Sequence, residues 1–143
     1  MVKIRNSAQL SKRKVYQIET TLHEGAVAIA GETTFRNKSF NACQTIIQEE
    51  FVTLNEWIVD CGGIVGHLKS FISSVDQKAM ISTTGDQVNC RIQPSEDGAV
   101  DQNDRVEISI ALIVFNIPQQ DLEAKLIGLF ERLMDEQKKG ESL

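Results

Sequence analysis

The chain has 143 residues, of which 41% are hydrophobic and 24% are charged. This length suits one domain, which can bury roughly two-thirds of its unfolded surface without disulfides or metals. The longest apolar run, residues 108–115, is far shorter than the ~20 residues of a membrane-spanning helix, and residues 1–7 lead into no apolar core of a secretion signal. We therefore predict one cytoplasmic domain without a membrane segment.

The formal net charge of −5 hides a basic N-terminus. Residues 1–14 contain no acid and carry five basic side chains: Lys3, Arg5, Lys12, Arg13 and Lys14. We predict a basic, partly flexible arm (residues 1–13), a single domain (residues 14–137) and a flexible tail (residues 138–143). For the arm we favour a solvated tail or a contact with an acidic neighbouring subunit over a contact with nucleic acid.

The cysteines and histidines do not have the spacing of a metal site. Cys43, Cys61 and Cys90 are odd in number and show no C-x-x-C pattern, which argues against a disulfide framework and a structural zinc. His23 and His67 are the two histidines, and no H-x-H or H-x-x-x-H pair exists. We expect no bound metal, and no motif in the chain identifies a cofactor.

Residues 14–36 alternate between apolar and polar side chains, as strands do, with Gly25 in the middle. We interpret this stretch as a hairpin. One long strand with a bulge at Gly25 is the alternative, because a glycine inside a strand can mark either feature. One face of this stretch carries only small side chains at Ala26, Ala28 and Ala30. We therefore expect either that another group approaches this face closely or that the face lies near solvent.

A helix is predicted next, because apolar side chains recur at steps of three or four after the capping residue Ser39. The apolar positions are Phe40, Cys43, Ile47, Phe51, Leu54, Ile58 and Cys61. The helix should end at Gly62 and Gly63, since glycine readily adopts the left-handed conformation that closes a helix.

Residues 64–73 alternate again and predict a strand. With strict alternation, Val65, His67, Lys69 and Phe71 share the side that faces away from Leu68.

Three more strands and a helix complete the predicted order. The strands lie at residues 78–84, 88–92 and 106–115, with Gly85 and Asp86 as a two-residue turn. Pro118 suits the first turn of the closing helix, whose inward stripe is rich in leucine. Gly128 lies inside this helix despite a cost of ~1 kcal/mol relative to alanine, so we expect a close approach of a neighbouring backbone there.

Together these elements predict a two-layer α+β sandwich with a mostly antiparallel sheet. The order in sequence is β-β-α-β-β-β-β-α, and both helices cover one face. The last strand is apolar on both sides near Ile113 and Phe115, yet the chain supplies helices for one side alone. We predict that Val65, Phe71, Ile113 and Phe115 bury against a second subunit of a homo-oligomer.

The glycine-rich residues 62–69 end in a lysine, but they follow a helix and precede a strand. A phosphate loop needs the reverse order, so that the N–H groups of a helix N-terminus converge on the anion. His67 and Lys69 are two side chains able to carry positive charge on one strand face. We predict that they hold a small anionic ligand at a subunit interface.

Two functions remain open from the residues alone. The first is an oligomeric binding or assembly domain that holds the anionic ligand near His67 and Lys69. The alternative is a small oligomeric enzyme whose acid–base residues are His23, Glu24, His67 and Lys69, which requires that the hairpin end meets His67.

Overall fold

The computed structural model describes residues 2–5, 16–23, 25–95 and 105–141. Within these ranges the chain forms seven strands and two helices. The strands are β1 (Val2–Arg5), β2 (Tyr16–His23), β3 (Ala26–Arg36), β4 (Ile64–Ser73), β5 (Gln77–Thr83), β6 (Asn89–Pro94) and β7 (Arg105–Phe115). The helices are α1 (Phe40–Asp60) and α2 (Gln119–Glu141).

The predicted fold class is confirmed. The structure is an antiparallel sheet with two helices on one face, and the elements from β2 onward follow the predicted order along the chain. The structure adds β1, which lies in the predicted basic arm and pairs with β2. Residues 1 and 6–13 of that arm lie outside the described residues, as do residues 142–143 of the predicted tail.

The strand order in the sheet is β1-β2-β3-β7-β4-β5-β6, and every neighbouring pair is antiparallel. The last strand in the chain, β7, therefore lies between β3 and β4. It pairs with β3 from Ala26↔Phe115 to Arg36↔Arg105. This insertion joins the N-terminal strands to β4, β5 and β6.

Residues 16–36 form a hairpin, not one bulged strand. The β2–β3 pairing continues to His23↔Ala26, so the chain reverses direction between these two residues. Gly25 has a φ of +84°, the left-handed conformation that glycine adopts without strain.

The core lies between the sheet and the two helices. Helix α1 packs on β4 and β5, and α2 packs on β3 and on α1. The Phe130 ring of α2 stacks on Tyr16 of β2, with ring centroids 4.9 Å apart. Gly31 of β3 makes room for this ring, because a Cβ there would lie 2.7 Å from Phe130 Cε2.

Both ends of α1 follow the prediction. The Ser39 hydroxyl accepts a hydrogen bond from the Ala42 backbone N–H at 3.1 Å, which satisfies one of the free donors of the first turn. At the other end Gly62 has a φ of +82°, and the Gly63 N–H donates to the Ile58 carbonyl at 2.8 Å.

Three local predictions differ from the structure. The turn between β5 and β6 is longer than two residues, because pairing stops at Ser82↔Asn89. Helix α2 continues to Glu141, into the predicted tail. Gly128 is exposed, and no heavy atom lies within 4 Å of the position of a Cβ, so the expected close approach is wrong.

None of the described helices is both long enough and apolar enough to cross a membrane.

Two glycine-to-alanine variants test this packing. Gly128→Ala should raise the free energy of unfolding by about 0.5–1 kcal/mol, because an exposed helical site gains alanine's propensity. Gly31→Ala should lower it by about 1–3 kcal/mol, because the new methyl group overlaps a buried ring. Urea denaturation measures both, and equal effects of the two substitutions would contradict the packing described for α2.

Candidate functional site

Both helices lie on the same side of the sheet and leave the opposite side, here called the open face, without helical cover. The strand register arranges its outward side chains in rows that cross the sheet. One row consists of Gln17, Glu32, Ser109, Phe71, Met80 and Arg91. The next row consists of Glu19, Ala30, Ala111, Lys69, Ser82 and Asn89.

A β-bulge at the start of β4 decides which side chains reach the open face. Val65 pairs with Val114 and His67 pairs with Ile113, so Gly66 is the extra residue. A Cβ at Gly66 would lie 2.9 Å from the Ile113 carbonyl oxygen, closer than side chains tolerate. The backbone approach at this bulge therefore requires glycine.

The bulge reverses the alternation ahead of it, and the prediction that Val65 faces outward is wrong. Val65 is 9% exposed and packs in the core, whereas Ile64 is 58% exposed on the open face. A strict period of two holds only without a bulge, because one extra residue turns the preceding side chains to the other side. After the bulge, His67, Lys69 and Phe71 lie on the open face.

Large apolar side chains stay exposed on the open face of β4 and β7. Phe71, Ile113 and Phe115 are 37–48% exposed. Ile64 pairs directly with Phe115, and His67 pairs with Ile113, so the apolar positions are neighbours across the two strands. An antiparallel sheet with one face in water ordinarily carries polar side chains on that face.

A trough of about 450 Å³ crosses the open face, with Ala30 and Ala111 at its floor. Lys69 and Phe71 of β4 line one side. The opposite side is lined by Gln17, Glu19 and Glu32 of β2 and β3.

The trough continues toward Ser73 and Glu107 as a wider concavity of about 630 Å³. The Lys69 ammonium lies 5.0 Å from the centre of the Phe71 ring, a cation–π contact that holds it at the wall.

The predicted site residues are only partly brought together. His67 and Lys69 are consecutive outward positions of β4, about 6.7 Å apart along the strand. The backbone of His23 lies on β2, and β3 and β7 separate it from β4 by about 14 Å across the sheet. Glu24 lies outside the described residues. One chain therefore does not bring His23 to His67.

The thiols offer no activated nucleophile in the core. Burial raises the pKa of the Cys43 thiol to about 11, and burial also raises the pKa of Cys90. Because the thiolate is the reactive form, Cys43 is unreactive at neutral pH. Cys61 is exposed at the end of α1. In the part of the chain that the structure describes, no group of three His, Cys, Asp or Glu side chains is placed to hold a metal ion.

Sequence reasoning missed the acidic wall of the trough. Glu19 and Glu32 lie opposite Lys69 only because β7 separates β3 from β4. The alternation of β2 and β3 placed both glutamates on an outward face, and the strand order was the missing information. A second groove, of about 650 Å³, lies beside α1 with Val52 and Val59 in its lining, and it contains none of the predicted site residues.

A pair of alanine variants tests the bulge. Val65→Ala should lower the free energy of unfolding by about 2 kcal/mol, because Val65 is buried. Ile64→Ala should change it by less than about 0.5 kcal/mol at protein concentrations too low for self-association. Chemical denaturation distinguishes them, and the reverse order of the two effects would show that strict alternation holds.

No family model matches the sequence, and no curated protein matches it. Two solved structures show a partial likeness: the Zn(II)-bound YjiA GTPase from E. coli and a Zn(II)-bound triple mutant of YjiA GTPase. Their TM-scores are 0.48 and 0.49, at 12% and 11% identity, over 74% of this chain. The chain spans 30% of the length of each of those chains. A likeness at this level carries no argument about function.

Proposed function

We propose that this chain is a non-enzymatic binding and assembly domain that works as a homo-oligomer through its open face. The observation that carries the proposal is the exposure of Ile64, Phe71, Ile113 and Phe115 on the side of the sheet without helices. Neighbouring exposed hydrophobic residues on a soluble domain are typical of interaction surfaces. Burial against a second subunit removes this apolar surface from water.

The domain also holds a small ligand with an anionic group beside His67 and Lys69, on the same open face. Support comes from two adjacent outward positions of β4 that can each donate a charge-assisted hydrogen bond. The trough next to Lys69 has a volume suited to a small molecule. The carboxylates of Glu19 and Glu32 on the opposite side of the trough repel negative charge. The anionic group of the ligand therefore lies on the β4 side.

The enzyme alternative, with His23, Glu24, His67 and Lys69 as acid–base residues, has no support within one chain because of the intervening strands. It would require an interface that brings His67 of one copy to the β2 end of another.

A substitution on each side of the molecule tests the assembly. Ile113→Ser should shift the wild-type oligomer toward monomer, because a polar side chain replaces an apolar contact at the centre of the open face. The matched control is Val59→Ser, at an exposed valine on α1, which should leave the oligomer intact. Size-exclusion chromatography with light scattering measures both.

Two outcomes of that measurement would contradict the proposal. One is a wild-type protein that stays strictly monomeric at high concentration. The other is dissociation by Val59→Ser without dissociation by Ile113→Ser, which would place the interface on the helical side.

An NMR titration with succinate and with inorganic phosphate tests the ligand site. Saturable chemical-shift changes should centre on His67 and Lys69. The double variant His67→Ala, Lys69→Ala should bind at least about tenfold more weakly, because it lacks the two charge-assisted hydrogen bonds. Arg91→Ala, which removes a cation on β6 of the same face, is the control and should bind as the wild type does. Absence of saturable shifts, or equal loss in the control, would remove the anionic-ligand proposal.

A further inference from the structure

Strands β3 and β4 flank β7 on the open face and differ in side-chain size. The register matches them row by row through the β7 residue between them. The five rows are Ala26–Phe115–Ile64, Ala28–Ile113–His67, Ala30–Ala111–Lys69, Glu32–Ser109–Phe71 and Thr34–Glu107–Ser73. In three of the five rows β3 carries alanine where β4 carries a large side chain.

This size contrast defines a self-complementary surface. A two-fold axis that lies in the plane of the interface and runs along β7 places β4 of one copy over β3 of the other. Ile64, His67 and Lys69 of one copy then lie over Ala26, Ala28 and Ala30 of the other copy, and Phe71 lies over Glu32. Aligned sheet packing at about 30° keeps this correspondence near the axis.

We infer that the open face packs against a second copy of the chain across such an axis, with Lys69 of each copy between Glu19 and Glu32 of the other. This inference rests on the proposed function and specifies its partner and its geometry.

The charges of the trough agree with this arrangement. Lys69 lies opposite Ala30 of the other copy, which forms the floor of the trough. Glu32 is the next outward residue along β3, and Glu19 is the residue paired with Ala30 on β2. The ammonium group therefore enters a trough lined on that side by two carboxylates, and the same contact occurs twice in the dimer.

The outward β7 residues lie on the two-fold axis, where each faces the same residue of the other copy, and their side chains suit such contacts. Ser109 and Ala111 are small and permit close approach, and Ile113 and Phe115 are apolar. Glu107 is the acidic outward residue of β7, and it already forms an ion pair with Arg105 at 3.1 Å.

The available area suits a stable dimer. The five neighbouring strands β2, β3, β7, β4 and β5 span roughly 25 Å across the sheet. Four rows of outward side chains span a similar length along the strands. The face thus offers on the order of 600–800 Å² per copy, close to the ~800 Å² per partner of standard protein interfaces.

Two charge reversals test the pairing. Lys69→Glu places three carboxylates together, and Glu32→Lys places two ammonium groups together, so each variant should weaken its own dimer by at least about tenfold. An equimolar mixture of the two variants should form a mixed dimer tighter than either homodimer. One of its two contacts is the wild-type contact, and in the other the new carboxylate at position 69 meets the new ammonium group at position 32. Native mass spectrometry with one variant ¹⁵N-labelled measures the three species.

Glu56→Lys, a charge reversal on the exposed side of α1, is the control and should dimerise as the wild type does. Circular dichroism of each variant establishes that it is folded, as expected for outward positions. Wild-type-like dimers of both variants, or a mixture with no preference for the mixed dimer, would overturn the inferred geometry.

These outcomes separate the inference from the proposed function. If Ile113→Ser dissociates the oligomer while the charge variants show no mixed-dimer preference, the open face is the interface but the two-fold arrangement is wrong. If the wild type is monomeric, the proposed assembly fails and the inference fails with it.

Discussion

The pairing of β7 with both β3 and β4 is the constraint on which the rest of this structure depends. The N-terminal hairpin and the strands after α1 have no other common neighbour in the sheet. Their relative register is therefore set through β7 alone, by its pairing with β3 along one edge and with β4 along the other. This register places the alanines of β3 and the large side chains of β4 in common rows, and it brings Glu32 to the side of the trough opposite Lys69.

The elements from β2 onward were predictable from the sequence because each has a local signal, such as the alternation of the strands, the apolar stripe of α1 and the glycines at the end of α1. The position of β7 was not, because pairing between distant strands leaves no mark in either strand's own pattern. The bulge at Gly66 was not predicted for a different reason. A single glycine fits an alternating strand and a bulge equally well, and the close backbone contact with Ile113 that distinguishes them is visible only in the folded sheet.

The candidate site was predictable to the same extent. His67 and Lys69 lie two residues apart on one strand, so alternation alone placed them on a common face. The wall of the trough opposite these two residues comes from β2 and β3. Strict alternation, which does not include the bulge, assigned to Val65 the outward apolar position that Ile64 occupies. Local spacing thus identified one wall of the trough, whereas the other wall required the strand order.

Lys69 links the two parts of the proposed function. An anionic ligand at Lys69 and the carboxylates of a second copy would compete for the same ammonium group. Ligand binding and assembly are then coupled, and thermodynamic linkage requires that each weakens the other by the same free energy. His67 lies one row away, opposite Ala28 of the other copy, where no carboxylate of the described rows competes. A ligand that contacts His67 alone is therefore compatible with the dimer, whereas a ligand that engages Lys69 favours the monomer.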